Sequence, residues 1–139
     1  MQFANCDLQM TERDLIERTK QFALRIIKVV GALPRTIEGR AIASQLMRSG
    51  TSVAANYRAA CRARSKPESI SKLGTVEEEA DESAFCLELL IDAGLMSESK
   101  IRSLLNEASE IVAIMASPKK TASRSAWKSQ IANCKSQIR

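Results

Sequence analysis

The chain has 139 residues with a formal net charge of +5, 45% hydrophobic and 27% charged residues, no histidine and four cysteines. That length and balance fit one globular domain with its own core and exclude a wholly disordered polymer. Cys6, Cys61, Cys86 and Cys134 are widely spaced and form no CxxC, which excludes a zinc-ligand pattern in a histidine-free chain and predicts reduced structural thiols.

The first residues, MQFANCDLQMTERDL, have neither the basic start nor the continuous apolar stretch of a secretory leader. No later apolar run approaches the ~18 residues of a membrane span, so a cytoplasmic protein with no membrane partner is expected. A first helix is predicted over 12–31. Thr11 offers the N-cap hydroxyl and Asp14 stands three residues on, while Leu15, Thr19, Phe22, Ile26 and Val30 recur at helical spacing. Gly31 and Pro34 supply the stop.

A second helix is predicted over 37–63, with Ile42, Leu46, Ser49, Val53, Tyr57 and Ala60 on one face. Gly50, Thr51, Ser52, Ala54 and Ala55 lower its intrinsic propensity but allow another helix to approach closely, with a kink as an alternative outcome. Ser65, Pro67 and Glu68 open a third helix over 66–93, whose apolar line is Ile70, Leu73, Val76, Ala80, Ala84, Leu87 and Ile91, flanked by Phe85 and Leu89. Asp92-Ala93-Gly94 ends it with a C′ glycine. Ser97 is expected to cap the fourth helix, which carries Ile101, Leu104, Leu105, Ala108, Ile111, Val112 and Met115 and stops before Pro118.

Short connections between long helices of this kind predict an all-α, antiparallel up-down-up-down four-helix bundle over 1–117. Residues 118–139 form a separate basic tail, expected to be mobile, with a helical pattern around Trp127 and Ile131. All 16 acidic residues precede position 118, whereas Lys119, Lys120, Arg124, Lys128, Lys135 and Arg139 follow it. The basic charge of the protein is therefore a property of its tail.

The third helix concentrates Glu77, Glu78, Glu79, Asp81 and Glu82. Carboxylate-bridged metal bundles complete such sets with histidine, so no metal and no cofactor are expected. The second helix bears Arg40, Arg48, Arg58 and Arg62, with Arg64 just beyond, against Glu38 as its one acid. One reading is that Arg48, Arg58 and Arg62 pair across the helix seam with Glu78, Glu79 and Glu82 and fix its register. The other is that Asn56, Tyr57, Arg58, Arg62, Arg64 and Lys66 grip phosphate, with Lys119, Lys120, Arg124 and Lys128 of the tail adding sequence-independent contacts to RNA or DNA. There is no Gly-rich phosphate loop, GxSxG or base-paired nucleophile, so no enzymatic activity is expected.

The segments DLIERTKQFALRIIKVVGALP, SQLMRSGTSVAANYRAACRARS and EEADESAFCLELLIDAGLMS resemble the ribosomal-protein-like four-helix-bundle family encoded in intervening sequences of bacterial large-subunit rRNA genes. The likeness covers about 7–116 and is most specific at Ser52-Val53-Ala54-Ala55-Asn56, at Arg62 and at Glu78 to Leu90. It implies a homopentamer, related to accessory proteins of diversity-generating retroelements that bind nucleic acid and a reverse transcriptase. The matched Asn56, Arg58, Arg62, Glu78, Glu79 and Glu82 carry no catalytic role in that resemblance. Many relatives continue with glycine after the small-residue stretch, where this chain reads Asn56-Tyr57-Arg58-Ala59-Ala60-Cys61. Two functional expectations remain: an oligomeric nucleic-acid binder, or a protein-interaction scaffold. Apolar residues left off the main stripes, such as Val29, Phe85 and Leu89, are expected to be covered by a subunit interface.

Overall fold

The computed structural model of the protein describes residues 10–117. They form four helices, α1 (Glu12–Ala32), α2 (Ile37–Cys61), α3 (Lys66–Asp92) and α4 (Glu98–Ala116), packed in sequence as an antiparallel bundle in which the α2–α3 seam is the broadest and α1–α4 the narrowest.

Local chemistry sets the helix ends. Thr11 and Asp14 make a reciprocal capping box: the Thr11 hydroxyl accepts from Asp14 N–H at 3.2 Å, and the Thr11 N–H donates to Asp14 Oδ2 at 2.9 Å. Thr36 and Ser65 cap α2 and α3 one way only, their hydroxyls accepting from Gly39 and Glu68 N–H with no bond returned to the cap backbone among the described residues. Ser97 occupies the N-cap of α4 but its hydroxyl makes no capping bond, lying instead 3.4 Å from the Ser99 hydroxyl. At the end of α3, Gly94 takes φ +69°, its N–H donates to Ile91 O, and Leu95 N–H donates to Leu90 O, both at 3.0 Å. That bonding is a Schellman motif, for which glycine is the low-strain residue.

The capping box gives a pH-dependent contribution. Backbone and side-chain hydrogen bonds from Thr11 hold the Asp14 carboxyl below its usual range. A carboxyl more acidic in the folded than in the unfolded chain stabilises above its unfolded pKa, and that stabilisation is lost as pH falls through the lowered folded value. The gap in thermal midpoint between wild type and Asp14→Ala is thus expected to be flat near neutrality and to close in acid. A gap that widens in acid would contradict the assignment.

The core is built from Leu15, Phe22 and Ile26 of α1, Leu46, Val53 and Tyr57 of α2, Val76, Leu87 and Leu90 of α3, and Ile101, Leu104, Ile111 and Met115 of α4. α2 is one continuous helix through Gly50, so the tight-packing outcome holds: a Cβ at that position would lie 2.7 Å from Cγ1 and Cγ2 of Ile26. Where α2 faces α3, Ser83 Oγ donates to Ser49 Oγ at 2.8 Å, with the Glu79 carbonyl an alternative acceptor at 2.9 Å. Both serines are fully buried, and their small volume lets α2 and α3 meet closely.

Up-down-up-down order puts the start of α1, the α2–α3 turn and the end of α4 at one end of the bundle. The α1–α2 turn and the α3–α4 turn lie at the other.

Candidate nucleic-acid interface

The arginines of α2 divide into two groups. Arg48, in its middle, reaches across to α3: Nη2 lies 2.5 Å from Glu82 Oε1 and Nη1 3.4 Å from Glu79 Oε1. Hydrogen bonding to Glu82, then the charges of Glu82 and Glu79, raise the pKa of its guanidinium. The arginine is well exposed, so this pair orients the two helices more than it stabilises them. Glu79 Oε2 is buried and has no hydrogen-bond partner among the described residues.

Arg58 and Arg62, three and four turns further on, are exposed and have no ion-pair partner among the described residues. The reason is register. Arg48 opposite Glu79 and Glu82, and Ser49 opposite Ser83, place the last turns of α2 alongside the first turns of α3, where Lys72 stands and Glu78, Glu79 and Glu82 do not. Glu78 is likewise exposed and unpaired among the described residues. Arg64, also exposed, follows the C-cap residue Arg62, and Lys66 begins α3 half-buried. The acid of this turn, Glu68, is held by the backbone, accepting from Arg64 N–H at 3.0 Å and donating its own N–H to Ser65 Oγ at 3.2 Å.

Arg58, Arg62, Arg64 and Lys66 therefore gather at one end of the bundle. Arg13, exposed in the first turn of α1, belongs to the same end. Its membership was not readable along the chain, because it arises only when α1 folds back against α2.

Two residues of the expected patch turn inward. Tyr57 is 5% exposed and part of the core. Burial, with Cys61 and Glu12 nearby, pushes its phenol far above the usual range. It offers no stacking face to a base. Asn56 is half-buried and donates from Nδ2 to the Ser52 carbonyl at 2.9 Å. Lys119, Lys120, Arg124 and Lys128 lie outside the described residues, as do Trp127, Cys6 and Cys134. Among the described residues no three side chains of metal-ligating type converge, and no helix is long and apolar enough to cross a membrane.

The bundle's other notable surface is apolar. Leu24 and Ile27, one turn apart on α1, are 44% and 42% exposed, and Phe85 on α3 is 57% exposed. Ile37 and Ile70 are exposed too, whereas Val29 and Leu89 are half-buried.

Residues 11–117, which comprise all four helices, match the profile described as 23S rRNA-intervening sequence protein. The chain belongs to that family. A crystal structure of a protein of unknown function from the S23 ribosomal protein family of Bacteroides thetaiotaomicron VPI-5482 is similar to it, at 32% identity and a TM-score of 0.68. The likeness covers 73% of this chain and 94% of that one. No curated protein matches the chain. The intervening-sequence family match contains Arg58, Arg62, Arg64 and Lys66 and stops before the six cations of 118–139.

Proposed function

We propose that this intervening-sequence family protein is a non-enzymatic, oligomeric helical bundle that binds RNA or DNA through its basic surface. The observation that carries the reading is the group of exposed arginines at the α2–α3 turn, unpaired among the described residues. α4 ends at that same end of the bundle, so the chain continues from there into 118–139 with its six cations. Cations without ion-pair partners are free to displace counterions from a phosphate backbone, which gives affinity with little sequence preference and a steep dependence on salt. The assembly we infer is a homopentamer, for which exposed Leu24 and Ile27 supply apolar surface.

The test is titration of fluorescent structured RNA and duplex DNA at two salt concentrations, with light scattering on the same sample. Binding by a pentamer that weakens as salt rises is expected. Arg58→Ala plus Arg62→Ala should lower affinity by about tenfold or more and reduce the salt slope by about two. Deletion of 118–139 apportions the remaining affinity to the tail. Absence of binding to either nucleic acid at low salt would favour a second reading that the exposed apolar residues support. In that reading the bundle is an accessory subunit for a protein such as a reverse transcriptase.

A further inference from the structure

The outer face of α3 is neither packed in the core nor part of the basic end. Phe85 is its apolar centre, 57% exposed. Helical spacing surrounds the ring with Glu78 and Asp81 on the preceding turns and Glu88 and Asp92 on the following ones, all four exposed. None has an ion-pair partner among the described residues, in contrast to Glu79 and Glu82, which Arg48 draws to the α2 seam. The cations of α3, Lys66 and Lys72, stand in its first two turns. An exposed phenylalanine ringed by uncompensated carboxylates is complementary to a cationic segment that also carries apolar or aromatic side chains.

We propose that this face is the docking site of the chain's own residues 119–139. That segment holds six cations, no acid, Ile131 and Trp127, the single tryptophan of the protein. Its origin is suitably placed: α4 packs beside α3 and ends where α3 begins. Phe85 lies about 28 Å along α3 from that end at the helical rise per residue. The chain from Ser117 to Trp127 spans up to about 35 Å when extended, so the indole reaches Phe85 without leaving its own subunit. The arginines of the α2–α3 turn repel the segment, and the carboxylates further along α3 attract it. The exposed apolar pair on α1, Leu24 and Ile27, lies between Lys20 and Lys28, the wrong sign for this occupant. Docking depends on no bound nucleic acid, and a nucleic acid that engaged the same six cations would compete with α3 for them.

Because Trp127 is the single tryptophan, its fluorescence in the full-length protein reports docking directly. At low salt a blue-shifted emission partly shielded from acrylamide is expected. Both properties should be lost in about 1 M salt, where the screening length falls to about 3 Å. Asp81→Lys plus Glu88→Lys should shift emission to the red and raise the quenching constant by about twofold as the indole becomes accessible. Phe85→Ala should act in the same direction. These positions are exposed, so far-UV circular dichroism should be unchanged in each variant, and Leu24→Ala plus Ile27→Ala should leave the emission as it is. A wild-type emission already equal to that of free indole would overturn the proposal, as would an emission indifferent to the charge reversal. Charge reversal that changes the mass by light scattering while leaving Trp127 unaffected would assign the face to a second copy of the chain, and would also overturn it.

Discussion

Gly50→Ala is expected to destabilise the bundle by about 1–2 kcal/mol, although the same change in an open helix stabilises. Alanine improves helix propensity by roughly 0.8–1.0 kcal/mol over glycine. Against that gain, the added methyl would sit 2.7 Å from Cγ1 and Cγ2 of Ile26 and 2.9 Å from its Cβ. Ile26 is fully buried and β-branched, so its side chain has no free rotamer into which to retreat. The clash must move α1 away from α2, and overpacking of this kind costs about 1–3 kcal/mol. Gly50→Val, which adds branching at the point of contact, should exceed 3 kcal/mol by the same argument, roughly. Gly74 is the control. It lies inside α3 with nothing within 4 Å of its would-be Cβ, and Gly74→Ala should stabilise by about 0.5–1 kcal/mol. Denaturant midpoints at one fixed protomer concentration separate the two, since assembly would otherwise shift them. A Gly50→Ala protein as stable as Gly74→Ala would show that the α1–α2 approach is looser than the geometry requires.

Glycine 50 also illustrates what can be read from one dimension. The run of small residues around it announces close helix approach, but the neighbour it admits is identified only in three dimensions. Helix ends were legible because caps are local: Thr11, Ser65 and Gly94 each act within a few residues of themselves. α2 stops at Cys61, two residues short of the expected end, with Arg62 already at φ −100° and ψ 5° before Ser65 starts α3. The stripes of α1 and α4 were clear for a similar reason, since apolar side chains there mark the buried face. On α3 the apolar line drifts from the buried one. Ile70 is exposed, while Ser69 and Ser83 are buried; at Ser83 a narrow seam selects for small volume, and its polarity is tolerated because the hydroxyl has the Glu79 carbonyl as a backbone acceptor. The arginines of α2 were visible as a set. Their division into Arg48, paired, and Arg58 and Arg62, unpaired among the described residues, depends on a register that composition does not encode. Tyr57 belongs to the core stripe that its spacing indicated, which removes it from the phosphate-gripping patch.

Two neighbouring large side chains of α3 should behave oppositely when cut back to alanine. Leu87 is fully buried in the common core with Leu46, Val76 and Leu90, so Leu87→Ala removes apolar contacts and leaves a cavity, at a cost of about 2–5 kcal/mol. Against a typical domain stability of roughly 5–15 kcal/mol, that brings the bundle near the point where unfolded chain accumulates. Phe85, two residues earlier, is the larger side chain and is 57% exposed. Its truncation should cost less than about 1 kcal/mol, since most of the ring lies outside the bundle core and a segment docked there adds only weakly to the folded state. The difference has a use beyond stability. A variant at Leu87 that loses any binding property says nothing about a surface, because the fold itself is compromised, whereas Phe85→Ala is expected to keep the fold and change only what docks on α3. Urea unfolding of both at matched protomer concentration checks the pair. Equal destabilisation would mean that whatever covers Phe85 contributes strongly to the folded state, and the fluorescence of Trp127 then decides between the cationic segment and a second subunit.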